Sequence, residues 1–189
     1  MNDLLPRSFL RSCLGLLIIA PLLAASPATA GPVQVKVTQV TASSDGTSNP
    51  QKWPHNPLMA VDGNTKTCWA SSPNDTIGAW LKFNFDGPRN IAQIQIVNGW
   101  IPEGYPNFFT QNHRLKKITL LYGNGKKEAF ELRDNNDIQI LSPAFADKTK
   151  SVTLRVDAIY PADSSSSNAW VTVSEVTFFS EAEATKTAP

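Results

Sequence analysis

The sequence predicts an all-β protein built as an antiparallel β-sandwich, and three observations carry that expectation. Beyond residue 32 the apolar side chains alternate with polar ones. The alternating runs are short, and Gly, Pro, Asn and Asp clusters punctuate them as turn signals. No segment of this part carries the 3.6-residue apolar stripe of a long helix.

The elements follow in order. Val33, Val35, Val37 and Val40 open the pattern, with Gln34, Lys36 and Thr38 between the first three. Leu81, Phe83 and Phe85 alternate with Lys82 and Asn84, and Ile94 and Ile96 flank Gln95. Further runs cover 115–122, 130–132, 138–140, 152–156 and 171–179. Turns are expected at 86–88, 123–125, 134–136 and 161–168. The sharpest hairpin signal is Tyr122-Gly123-Asn124-Gly125-Lys126, because Asn-Gly tolerates the positive φ of a tight turn. Two long segments, 41–72 and 100–114, fit no strand. Long loops on a rigid sandwich are where function concentrates.

Composition narrows the function classes. With 189 residues the chain is one domain's worth, and 41% hydrophobic against 17% charged residues suffices for a packed core. A net charge of +1 offers no cation excess for phosphates, which argues against nucleic acid. Two cysteines exclude a disulfide-dense scaffold and a four-thiolate zinc site. Residues 1–30 read as a signal peptide: Arg7 and Arg11 are followed by an apolar run over 13–25, then by Ala28-Thr29-Ala30 as a cleavage site. That run is too short, and too interrupted by Pro21, to span a bilayer. The expected organisation is a signal peptide at 1–30, one β-sandwich domain at 31–180 and a flexible tail at 181–189. The mature chain has as many basic as acidic side chains, no membrane span and one cysteine, Cys68, expected as a small buried hydrophobe. Its destination is the bacterial periplasm or the exterior.

One loop has the oxygen chemistry of a hard-cation site. Asp62 and Asn64 offer oxygens two residues apart, Gly63 permits a tight curl, and Thr67 adds a hydroxyl and a carbonyl. The same residues would equally close an Asx-turn on their own backbone.

The surrounding pattern, Ala60-x-Asp62-Gly63-x-x-x-Thr67-x-Trp69, resembles the signature of the galactose-binding-like jelly roll. That superfamily includes discoidin domains, coagulation-factor type C domains and bacterial carbohydrate-binding modules. Gly78-Ala79-Trp80-Leu81-Lys82-Phe83, Asn98-Gly99-Trp100, Asn112-His113-Arg114-Leu115-Lys116-Lys117 and Ser174-Glu175-Val176-Thr177-Phe178 extend the likeness. Together they look most like the translocation-domain branch of bacterial NAD-glycohydrolase toxins. The resemblance implies a jelly roll with one structural calcium ion shared by Asp62, Thr67 and Glu175, and with Trp69 and Trp80 in the core. It also implies ligand loops at one end of the sandwich.

On those loops, Trp100 and Tyr105 are candidate faces for a sugar's C–H surface, with Asn112 and Arg114 as hydroxyl or carboxylate partners. Trp53 and His55 resemble the first binding loop of the family. Phe108 and Phe109 are expected to fold the loop back as a small satellite core. No G-x-S-x-G elbow, H-E-x-x-H pair or phosphate-cradling glycine loop is present. The expected function is noncatalytic binding of a glycan or another cell-envelope surface ligand. The alternatives are a protein-interaction module with a protein partner, and a hydrolase using loop carboxylates such as Asp45, Glu103 and Asp163.

Overall fold

A computed structural model describes residues 31–47, 52–163 and 169–181. The expected signal peptide, the serine run 164–167 and tail residues 182–189 lie outside the described residues. Ten strands form two sheets. The first sheet runs β1 (Val33–Gln34), β10 (Thr172–Ser180), β5 (Ile91–Asn98), β8 (Ile138–Leu141), with the short β3 (Trp69–Ala70) also on β10. The second runs β2 (Val37–Ala42), β4 (Trp80–Arg89), β9 (Thr149–Tyr160), β6 (Arg114–Tyr122), β7 (Lys127–Glu131). Every strand pair is antiparallel, and the first and last strands meet at Val33 and Ser180. The predicted β-sandwich is therefore the observed one.

Alternation does the folding work. Leu81, Phe83 and Phe85 on β4 point inward, as do Ile94 and Ile96 on β5 and Val176 and Phe178 on β10. The sheets interlock where Phe178 lies 5.0 Å from Phe83 and 5.2 Å from Phe85, centroid to centroid. Trp69 is fully buried, as expected, and its indole N–H bonds the Ser44 carbonyl at 2.9 Å. Trp80 is not in the core. It precedes the buried Leu81, so the two-residue period turns it to the outer face of its sheet.

The β6–β7 hairpin forms where expected, closed by Tyr122 N–H on the Lys126 carbonyl at 2.9 Å. Only Gly125 takes a positive φ, of 85°. Asn124 contributes through its side chain, donating to the Phe145 and Asp147 carbonyls and accepting from Lys126 N–H. The expected turn at 86–88 instead lies inside β4, whose pairing with β9 is irregular between Asn84 and Arg89.

One buried side chain ties the two sheets together near the loop end. Asn98, fully buried on β5, accepts Leu115 N–H at 2.8 Å and donates to the Leu115 carbonyl at 2.8 Å and the Arg133 carbonyl at 3.3 Å. Asn98→Ala leaves these buried β6 groups unpaired, which costs about 2 kcal/mol. Thermal unfolding should show the midpoint falling by about 4–8 °C.

Candidate functional site

The two long loops meet at one end of the sandwich, and a glycine aims one into the other. Gly99 leaves β5 with φ 72°, and a Cβ there would lie 2.6 Å from the Phe109 ring and 2.9 Å from Arg114 Cγ. Ser174 Oγ–H holds its carbonyl at 2.7 Å. No other residue fits this turn, which drives Trp100 inward until only 2% of it is exposed. The Trp100 indole N–H bonds the Lys66 carbonyl at 2.7 Å, crossing from one loop to the other. Cys68, Ala70 and Trp100 form a satellite core with Trp53, Phe108 and Trp170 packed on it.

His55 lies inside this cluster, 2% exposed. Its ring stacks parallel to Trp53 at 6.5 Å, meets Trp100 edge-on at 4.8 Å and tilts against Trp170 at 5.2 Å. Nδ1 is 3.3 Å from the Cys68 carbonyl and 3.3 Å from Cys68 Sγ. The carbonyl only accepts, so the tautomer that satisfies it carries its proton on Nδ1. Nε2 is then a bare acceptor, buried and without a partner. Burial lowers the imidazole pKa and keeps it neutral. Burial also pushes the Cys68 thiol well up, helped by the Asp62 charge. The pair is thus a neutral thiol beside a neutral imidazole, the reverse of what an activated nucleophile requires.

Two cavities flank the Trp53–His55 stack, and both are walled by Trp53, His55 and Trp100. The first, about 240 Å³, adds Lys52, Lys66 and Glu103. The second, about 220 Å³, adds Gln111, Asn112 and Trp170. Among the described residues Glu103 is the only carboxylate lining either, where a glycoside hydrolase uses a carboxylate pair. A larger cavity, about 370 Å³, lies along β10 beside Val35, Val61 and Glu175, away from the aromatic end.

The expected ligand residues divide. Trp53 and His55 line both cavities, and Tyr105, 43% exposed, stands edge-on to Trp53 at 5.6 Å. Trp100 is a wall and a structural anchor, not an open platform, because Gly99 buries it. Arg114, 6% exposed, lines neither cavity. Its Nε and Nη2 grip both Asp134 oxygens at 2.9 and 2.8 Å, and Nη1 donates to the Asn112 and Pro161 carbonyls. The planar fork expected to hold a ligand holds the fold. Asn112 borders the second cavity, but its amide donates to the Phe108 carbonyl and accepts from Trp170 N–H. The satellite core expected of the two phenylalanines is present, with Phe108 on the cluster and Phe109 under the Arg114 guanidinium at 5.1 Å. Lys66 and Gln111 were missed from sequence. Lys66 sat in a loop read only for its oxygens, and Gln111 had no signal beyond its neighbour Asn112.

The loop at 62–67 makes the Asx-turns, with Asp62 Oδ1 accepting Asn64 N–H at 2.9 Å and Asn64 Oδ1 accepting Lys66 N–H at 3.0 Å. Asp62 Oδ2 meets the Thr67 hydroxyl at 2.7 Å, and Glu175 reaches the loop through Gly63 N–H at 3.1 Å. Burial first, then the Asp62 charge, pushes Glu175 up to about 7, against the pull of hydrogen bonds from Gly63 and Thr177. Two carboxylates beside a hydroxyl suit a hard cation's oxygen preference. Among the described residues no cluster of three or more His, Cys, Asp or Glu side chains occurs.

Two outcomes follow. Arg114→Ala should destabilise the protein by about 2 kcal/mol, allowing for the partial exposure of Asp134. Any loss of ligand binding should then track the fall in the melting midpoint. Glu175 has its folded pKa raised from 4.5 to about 7, so its stabilising contribution is complete below the lower value and lost as pH rises through the upper one. In a chelator, melting midpoints should decline across that window, and Glu175→Gln should flatten the decline.

Comparison with known proteins agrees with the fold. Residues 33–179 match the NAD glycohydrolase translocation F5/8 type C domain. No curated protein matches the chain by sequence. Among solved structures, the F5/8 type C domain of a Bacteroides fragilis protein superposes with a TM-score of 0.57 at 12% identity, covering 79% of this chain and 97% of that one. The family 32 carbohydrate-binding module of C. perfringens NanJ, in complex with galactose, gives 0.53 at 12% identity, covering 78% and 99%. The corresponding module of AlyQ, in complex with 4,5-unsaturated mannuronic acid, gives 0.52 at 17% identity, covering 78% and 98%. Against a truncated AlyQ that also carries its alginate lyase domain, the chain spans only 34% of the length. These likenesses establish the fold.

Proposed function

Because the chain belongs to the NAD glycohydrolase translocation F5/8 type C domain family, we propose that it is a noncatalytic carbohydrate-binding module, exported to the periplasm or the cell exterior. The ligand lies in the cleft divided by the Trp53–His55 stack. The observation that carries this reading is the bare Nε2 of His55, a buried acceptor on a residue that lines both aromatic-walled cavities. A buried acceptor without a donor is a standing cost that a ligand hydroxyl removes. Sugars supply such hydroxyls next to apolar C–H faces, which suit Trp53 and Tyr105. The neutral pair of Cys68 and His55 supports binding without chemistry. Structural neighbours include modules solved with galactose and with unsaturated mannuronic acid, and another described as pectin-binding.

The structural ion is calcium, held by Asp62, Thr67 and Glu175 with carbonyls of the same loop. A second reading, a protein-docking module, is favoured by one observation. Edge strand β8 exposes Ile138 and Ile140 on one face.

A glycan-array screen of residues 31–189 tests the first reading. Saturable binding to one glycan class, weakened about tenfold or more in Trp53→Ala, is expected; a blank array with a correctly folded protein removes it. Calcium at about 100 times its Kd should raise the melting midpoint by about 5–10 °C. Asp62→Asn and Glu175→Gln should lose that increment, and EDTA should reverse it.

A further inference from the structure

The outer face of the β2-β4-β9-β6-β7 sheet carries a feature that the loop end does not account for. Strand β4 is interior to its sheet, between β2 and β9. The alternation that buries Leu81 and Phe83 turns Trp80 and Lys82 outward. Arg155 stands directly across from Trp80, and Thr153 across from both Lys82 and Leu121. These five residues line a shallow depression of about 250 Å³, which shares no residue with either loop-end cavity.

Its chemistry is unlike ordinary sheet surface. The floor is the Trp80 ring and Leu121, and the rim is two cations. The indole N–H groups of Trp69 and Trp100 are spent on carbonyls, whereas that of Trp80 meets no acceptor among the described residues and is not buried. Among the described residues no aromatic or cationic side chain lies over the Trp80 ring. Lys82 is exposed and forms no ion pair with the described residues. Arg155 commits Nε and Nη2 to one Asp157 oxygen, and its Nη1 meets no partner among the described residues. An open indole face, a free indole donor and two cations therefore converge on one depression.

We propose that this face is a second binding site, for an acidic sugar residue. The pyranose lays a C–H face on Trp80 and Leu121 and accepts the indole N–H on a hydroxyl. Its carboxylate sits between Lys82 and Arg155, where charge-assisted bonds are strong and the guanidinium fork suits a carboxylate. A neutral sugar would leave the Lys82 ammonium and the remaining Arg155 Nη1 unanswered, so the anionic unit is the one selected. This site stands whether or not the loop-end cleft binds glycan.

The test titrates the isotope-labelled protein with trigalacturonic acid, and separately with its fully methyl-esterified form, following the tryptophan indole N–H signals by NMR. The Trp80 indole signal should shift saturably with the acid and weakly with the ester. Affinity should fall about tenfold in Trp80→Ala and in Lys82→Glu. Lys82→Glu changes only an exposed side chain, so it keeps the test open if Trp80→Ala fails to fold. No saturable Trp80 shift up to about 10 mM acid overturns the proposal. An equal response to the ester also overturns it, as does binding lost in Trp53→Ala but kept in Trp80→Ala.

Discussion

A polar ring buried among tryptophans is the constraint around which the loop end of this sandwich is built. Water is excluded from His55 by Trp53, Trp100 and Trp170, yet only Nδ1 has a protein partner. An unpaired buried acceptor costs about 1–3 kcal/mol, and folding tolerates it only because its surroundings are fixed independently. Gly99 fixes Trp100 by backbone geometry, and the Lys66 carbonyl fixes its indole nitrogen. Local violations of otherwise consistent packing concentrate at functional sites, and this is the one buried imidazole of the described structure.

The oxygen-rich loop and the cleft are parts of one device. Three consecutive residues join them: the Thr67 hydroxyl faces Asp62, the Lys66 carbonyl orients Trp100, and the Cys68 carbonyl orients His55. Whatever steadies Asp62 and Glu175 also steadies the wall of the cleft. Glu175 belongs to the last strand, so the same contact ties the N-terminal loop to the end of the domain. On the other side, Arg114 and Asn98 brace the second loop from within the sheets. The cleft is thus preorganised by groups that do not themselves reach into it, which limits the ordering cost of binding.

What was legible in the sequence was what alternation encodes. The short runs of Val, Ile, Leu and Phe located the strands, and the paired motifs around Asp62, Gly78 and Ser174 identified the fold. Trp80 shows how a pattern can be overridden by a motif. Its placement outside follows from Leu81 and Phe83 pointing in, but the resemblance suggested core. Arg114 was illegible for a different reason, because its partner Asp134 comes from the loop after the neighbouring strand β7 and only tertiary folding brings it close. The burial of His55 was hidden likewise, since the residues that cover it lie 45 and 115 positions away in Trp100 and Trp170. Sequence brought the two loops to one end of the sandwich and misassigned which of their polar groups are free.

The most direct test replaces His55 by phenylalanine and measures melting midpoint and glycan affinity on the same sample. An aromatic ring and its stacking are retained; the bare acceptor is removed, together with the Nδ1 donor to the Cys68 carbonyl. If Nε2 is there to receive a sugar hydroxyl, the midpoint stays within about 3 °C of the parent while affinity falls about tenfold or more. Unchanged affinity would contradict the account. So would an affinity that falls only in step with the midpoint, which would make His55 a structural residue and nothing more.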